Sequence, residues 1–284
     1  MQLAIFAKTF QRSTLAQTLD AVVAHGFDCI QFNFSCAGLP PMPEAIPADV
    51  ARSIAREIQK RKLSVAAVSG TFNTIHPDPE KRKQGLRRLA AIAEVCRPLG
   101  ASAITLCTGT RDVENMWRHH AQNSSMEAWR DLVTSLSEAL EITESFNVTL
   151  GIEPETANVI DSARKARKLL DEMKSPRLKI VMDAANLFHA GDEARMKEVI
   201  DEAFDLLAGD IIAAHAKDFR VNDGAIEHVA AGKGILDYDL YLSKLREARF
   251  AGPLILHGLE EAEVAGSRRV LQAAVAGRGR AHAV

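Results

Sequence analysis

The chain has 284 residues, 47% of them hydrophobic and 25% charged, which is enough apolar material for a large buried core. Thirty-five Lys and Arg against 37 Asp and Glu leave a formal net charge of -2, and aromatic residues make up only 5%. Both features argue against a nucleic-acid binder, which carries a basic excess and base-stacking surfaces. No run approaches the ~20 apolar residues that span a bilayer. Met1 to Phe6 lacks the basic and long apolar regions of a secretory signal. Cys29, Cys36, Cys96 and Cys107 form no Cys-x-x-Cys pair and read as free thiols in a reducing cytoplasm.

In chain order, short runs rich in Val, Ile and Leu alternate with longer helical patterns. Leu3 to Ala7 reads as a strand and Thr14 to His25 as a helix. Phe27 to Asn33 is followed by a helix from Pro47 to Arg61, and Leu63 to Val68 by a helix through Leu99. Ala101 to Cys107 precedes a helix from Ser125 to Phe146, and Val148 to Glu153 one from Ser162 to Met173. Leu178 to Asp183 precedes Met196 to Leu207, and Ile211 to His215 precedes Tyr238 to Ala248. Leu254 to His257 is the eighth strand, and the last helix runs from Ser267 to Ala274.

Eight such units imply parallel pairing through right-handed crossovers. A length of 284 residues divided by ~150 would allow two domains, but one α/β barrel uses about 250. An open doubly wound sheet would show a Gly-rich turn after the first strand. Here that turn is Lys8-Thr9-Phe10-Gln11-Arg12, without glycine. The expectation is an α/β fold, a (β/α)8 TIM barrel in a single domain over 1–276. Gly26, Gly100, Gly209 and Gly252 sit where left-handed helix caps are useful. The tail, 277–284, reads as disordered or as an oligomer arm.

Barrel chemistry gathers at the C-terminal strand ends. The fifth strand ends Glu153-Pro154-Glu155, the sixth Asp183-Ala184-Ala185-Asn186, the seventh His215-Ala216-Lys217-Asp218 and the eighth His257-Gly258-Leu259-Glu260. Carboxylates at the end of apolar runs cost several kcal/mol to bury unpaired. One divalent cation (Mn²⁺, Co²⁺, Zn²⁺, Fe²⁺ or Mg²⁺) would balance them, and mixed carboxylate and imidazole donors disfavour Ca²⁺. Taken singly, a charged residue at a strand end is more often a helix N-cap or a surface ion-pair partner; four in succession on neighbouring strands point to a shared cation.

The other half of the mouth is polar too, with Gln31 and Asn33 ending the second strand and long loops after the third and fourth. His76 is a substrate or metal contact, or a loop brace. Arg111 is a carboxylate or phosphate fork, or the partner of Asp112. Trp117 is a pocket wall or a plain plug. His119, His120, His189, His228 and His282 read as surface or loop residues.

Gly151-Ile152-Glu153, Val181-Met182-Asp183 and His215-Ala216-Lys217-Asp218 resemble the xylose isomerase-like TIM-barrel superfamily, along nearly the whole chain. The segment 69–78 and the run Thr105 to Asp112 resemble a bacterial subgroup of sugar phosphate isomerase/epimerase-type proteins. The resemblance implies one divalent metal on a Glu, an Asp, a His and a Glu. Glu153, Asp183 and His215 match the first three. The fourth position falls on His257, with Glu260 three residues later, and Asn186 stands where many members carry histidine.

In the epimerases of this superfamily two glutamates act on opposite faces of the substrate carbon, while the metal stabilises an enediolate. The implied catalytic set is Glu153 with His257 or Glu260. The implied metal ligands are Glu153, Asp183, His215 and His257. Implied substrate contacts are His76, Arg111, Trp117, Glu155, Asn186, Lys217 and Asp218. The implied function is a metal-dependent isomerase or epimerase of a small sugar or sugar phosphate. Alternatives are an inosose dehydratase-like lyase, a non-catalytic sugar-binding barrel, and an endonuclease-IV-like enzyme that the balanced charge disfavours. Expected partners are a sugar or polyol and further copies of the chain in a homo-oligomer, with no nucleic acid or membrane.

Overall fold

The computed structural model describes residues 1–276. The tail from Gly277, with His282, lies outside the described residues. In chain order the elements are β1 (Gln2–Phe6), α1 (Leu15–Ala24), β2 (Cys29–Phe32), α2 (Ala48–Lys60), β3 (Ser64–Ser69), α3 (Pro79–Cys96) and β4 (Ala103–Cys107). There follow α4 (Met126–Ser145), β5 (Thr149–Glu153), α5 (Ala163–Met173), β6 (Leu178–Asp183), α6 (Met196–Leu207) and β7 (Ile211–Ala216). The last are β8 (Asp218–Asn222), β9 (Ala225–Val229), α7 (Tyr238–Glu247), β10 (Pro253–Leu256) and α8 (Glu261–Val275).

Eight strands close in the order β1-β2-β3-β4-β5-β6-β7-β10, every neighbour parallel. The helices start where side chains can take up orphan N–H groups: Thr14, Asp78, Ser125, Ser162 and Asp237 each accept from the first turn of the following helix. Leu, Ile and Val from strands and helices pack together in the layer between them.

Three expectations change. The last helix starts at Glu261 rather than Ser267, because Glu260 and Glu263 form a reciprocal capping box there. Gly26 and Gly100 take φ of +79° and +74°, but Gly209 and Gly252 are not left-handed; after α7 that conformation falls to Arg249, at +53°. The loop after β7 carries a hairpin, β8–β9, with Asp223 and Gly224 at φ of 48° and 74° in its turn. Phe219 of the hairpin stacks on Phe188 at 4.6 Å, which ties it to the barrel rim.

The barrel interior has an apolar floor and a polar upper layer. Ala4, Phe6, Cys29, Val181, Ala213 and Ile255 form the inner cluster. Side chains alternate along a strand with period two. Two residues beyond Cys29, Val181, Ala213 and Ile255 stand Gln31, Asp183, His215 and His257, so these point into the same lumen one layer higher. Below Glu153 sits Gly151, whose missing side chain leaves room for Val181; a Cβ there would come within 2.8 Å of it.

Candidate metal centre and substrate cavity

Glu153 ends β5, Asp183 ends β6, His215 lies in β7 and His257 follows β10. One potential ligand atom from each lies within 4.8 Å of every other. Ligands about 2.0–2.3 Å from a shared ion stand at most ~4.6 Å apart, so a small inward movement closes this set on a cation. Two carboxylates and two imidazoles are the donor chemistry of a first-row divalent metal.

The surrounding contacts already orient the donors. His215 Nε2 is 2.9 Å from Gln31 Oε1, and Gln31 Nε2 donates to Thr105 Oγ1 at 3.1 Å. An amide oxygen only accepts, so His215 Nε2 carries hydrogen. His215 Nδ1 is left buried, 3.2 Å from Glu153 Oε2, without a hydrogen bond. That orphaned nitrogen fits a ligand to an ion, with Gln31 fixing the tautomer from across the barrel. Asn186 Nδ2 donates to Glu153 Oε1 at 2.6 Å. His257 Nε2 and Lys217 Nζ lie 2.8 Å and 3.5 Å from Asp183 Oδ2, while Asp183 Oδ1 accepts from Ala185 N.

The electrostatics follow from burial and crowding. Burial raises the Glu153 carboxyl, but the charge of His215 outweighs it and holds the group below the carboxylate range. Burial likewise opposes ionisation of Asp183, and Lys217 with the two imidazoles overcomes it, leaving the carboxyl well below its usual value. Burial opposes protonation of His215, which Glu153 and Asp183 nevertheless push up. Burial and His215 push His257 down.

A cavity of about 550 Å³ opens above these groups. Glu153, His215 and His257 form its base, with Glu155, Asn186 and Lys217 beside them. Trp117, 53% exposed, and Met116 wall one side. Glu155 is pushed up to about 8 by burial and by the charge of Glu153. Its folded pKa thus exceeds the unfolded value near 4.5. The resulting destabilisation is absent below pH 4.5, grows to about pH 8 and is constant above. In metal-stripped protein, Glu155→Gln should leave the melting temperature unchanged near pH 4, raise it increasingly up to about pH 8 and keep that gain at pH 9. A pH-independent gap between variant and wild type would contradict this.

Four expected site residues lie elsewhere. Glu260 caps α8, its carboxylate accepting from the first turn and its N–H donating to Glu263 at 2.9 Å, so it does not join the four donors. His76 braces its loop: Nδ1 accepts from Asp78 N at 3.0 Å. Asp218 is buried and accepts from Phe219, Gly232 and Leu236 N–H groups at 2.8, 3.0 and 2.9 Å, pinning the loop after the hairpin rather than orienting Lys217. Arg111 has a side chain only 4% exposed, 2.7 Å from Asp131 and donating to Ile75 O at 3.1 Å. Its neighbour Asp112 pairs instead with Arg118.

Breaking a buried pair from one side costs roughly 3–5 kcal/mol. At roughly 2–4 °C per kcal/mol, Asp131→Ala should lower the melting temperature by roughly 6–20 °C. Substrate affinity should stay within about twofold at a temperature where the variant is folded. A tenfold rise in KM without loss of stability would restore a substrate role to Arg111.

Lys8 and His228 also line the cavity and are not among the expected site residues. Lys8 lies in the short turn Ala7–Thr9 after β1. His228, expected as a surface or loop residue, is exposed on β9 and also lines the cavity. The signal for it was Asn222-Asp223-Gly224, an Asp-Gly hairpin turn between apolar residues.

Among the described residues no helix is long and apolar enough to cross a membrane. L-ribulose-5-phosphate 3-epimerase UlaE of Escherichia coli O157:H7 (strain EC4115 / EHEC) is 24% identical over 208 residues, covering 71% of this chain and 68% of that protein. A D-tagatose 3-epimerase-like protein shares the fold at a TM-score of 0.76, with 16% identity and 98% of each chain covered. An L-ribulose 3-epimerase superposes at 0.75, with 17% identity over 98% of this chain and 96% of its own. The IOLI protein solved with a zinc atom superposes at 0.73, with 19% identity over 99% and 100%. The pattern that defines the xylose isomerase-like TIM barrel matches residues 19–274. With that match spanning most of its length, the chain belongs to the xylose isomerase-like TIM barrel family.

Proposed function

We propose that the protein is a divalent-metal-dependent isomerase or epimerase of a small sugar or sugar phosphate. The observation that carries this reading is the convergence of Glu153, Asp183, His215 and His257 at the base of an open, polar-lined cavity. The similarity to sugar epimerases supports the substrate class. Glu153, Asp183, His215 and His257 would hold the ion, which when bound supplies Lewis-acid polarisation of the substrate carbonyl.

The chain's own residues do the rest. Glu153 accepts the proton from the carbon beside the carbonyl, and Asn186, donating to Oε1, fixes the direction of that carboxylate. Lys217 brings positive charge to the side of the cavity where negative charge develops on substrate oxygen. Glu155, which burial and the charge of Glu153 push up, is placed to hold a proton beside Glu153 and return it. Trp117 and Met116 shield one flank from water.

A second reading rests on one feature. Among the described residues, the carboxylates that line the cavity are Glu153 and Glu155, both at the end of β5 and so on one wall. With His257 where a second glutamate was expected, one-sided proton chemistry also suits a dehydratase-type lyase, in which a β-hydroxyl leaves. Incubating metal-loaded protein with small ketoses, aldoses and inososes in D₂O tests both. Deuterium at the carbon beside the carbonyl in a sugar of unchanged mass class supports isomerase or epimerase. Loss of water from the product supports the lyase. Neither exchange nor product with any of these would overturn the enzymatic reading.

A further inference from the structure

A second cavity, of about 680 Å³, adjoins the first, and Phe6, Lys8 and His228 line both. It lies between the turn after β1, the β8–β9 hairpin and the loop after β10. Its charges are unevenly committed. Glu263 pairs with Lys233 at 2.7 Å and accepts from Glu260 N, and Glu260 caps α8. Glu263 and Lys233 are thus already paired, while the exposed Glu260 carboxylate sits on the helix N-terminus without a cation partner among the described residues.

Two cations of this cavity have no such pair. Arg220 donates through Nε to Lys233 O at 2.6 Å, and among the described residues it has no carboxylate partner. Lys8 also has no carboxylate partner among the described residues. Its Nζ rests 4.6 Å from the centroid of the Phe6 ring, which holds the ammonium at the junction of the two cavities. Burial pushes its pKa down, and the titratable group that acts on it is the Cys36 thiol. That thiol is itself pushed up to about 11 by burial, and so carries no charge at neutral pH. Lys8 is exposed to the space the two cavities share, and an ammonium there with no counter-charge is the arrangement an external oxyanion completes.

We infer that Lys8 anchors an anion subsite adjoining the metal centre, and that the substrate is a sugar carrying a terminal phosphate or carboxylate. Arg220 and His228 complete the subsite from the hairpin. The inference rests on reading the main cavity as a sugar site, and it assigns the end of the sugar remote from the reacting carbon to Lys8.

Ribitol, ribitol 5-phosphate and ribonate make a matched set: each lacks the reactive carbonyl, so binding is read without turnover. Isothermal titration of the metal-stripped full chain should show one or both anions binding at least tenfold more tightly than ribitol. Lys8→Gln should reduce that preference to within about twofold, with each anion compared against ribitol on the same variant. Arg220→Gln should reduce it partially. Lys81→Gln, an exposed lysine on α3, should leave it intact. A preference for ribitol 5-phosphate identifies a phosphate as the natural group, and one for ribonate a carboxylate. Equal affinities for all three, no binding of any of them, or a preference that survives Lys8→Gln would overturn the inference. Because the titration needs neither metal nor turnover, failure of the proposed enzymatic activity would leave its result readable.

Discussion

Metal-stripped protein titrated with Zn²⁺, Mn²⁺ or Co²⁺ should melt at a markedly higher temperature than the stripped form. A ligand at a thousand times its Kd stabilises the native state by about 4 kcal/mol. At roughly 2–4 °C per kcal/mol, the gain is roughly 8–16 °C. The physical reason lies in the charge at the barrel mouth. Glu153 and Asp183 are buried side by side near Lys217, and the buried His215 Nδ1 faces Glu153 Oε2 at 3.2 Å without an aligned hydrogen bond. Glu153, Asp183, His215 and His257 would hold a divalent ion, whose charge would offset the repulsion between the two carboxylates. Gln31→Leu should weaken the ion about 10- to 100-fold, because His215 then loses the contact that sets its tautomer. Identical melting curves with and without each metal would remove the centre from the mechanism.

Glu153→Gln should reduce turnover by about 10²- to 10⁴-fold, the range for loss of a positioned proton-transfer group. Exchange of the substrate's carbon-bound hydrogen with solvent should fall by the same factor. The two losses together identify proton abstraction as the step affected. Asn186→Ala should cost less, since it removes the contact that aims the carboxylate and leaves the carboxylate itself. Glutamine also weakens the ion, so the comparison belongs at saturating metal. Full exchange activity in Glu153→Gln under those conditions would assign the proton to another group, with Glu155 the nearest alternative in the cavity.

Much of this site is legible in the sequence because strand periodicity carries it. Glu153, Asp183 and His215 close apolar runs, and parity two steps above Gly151, Val181 and Ala213 aims all three at one lumen. His257 is ambiguous in sequence because Glu260 lies one helical turn away. Only the start of α8 resolves it, and that start is encoded in the Glu260/Glu263 capping box, which a reading that begins the helix at Ser267 passes over. Arg111 shows the opposite limit. Its fork suits a substrate carboxylate, but its acceptor turns out to be Asp131, brought there by α4, and local sequence contains no trace of that packing. Lys8 and His228 reach the cavity from a short turn and from a hairpin inside a long loop, where hydrophobic periodicity says least.

The most direct test is a crystal of metal-soaked protein measured at the absorption edge of the added ion. A single strong anomalous peak bonded by Glu153, Asp183, His215 through Nδ1, and His257, with Glu260 remaining on its helix, is the expected result. No peak at the barrel mouth, or an ion bound by other residues, would contradict the assignment on which the proposed chemistry depends.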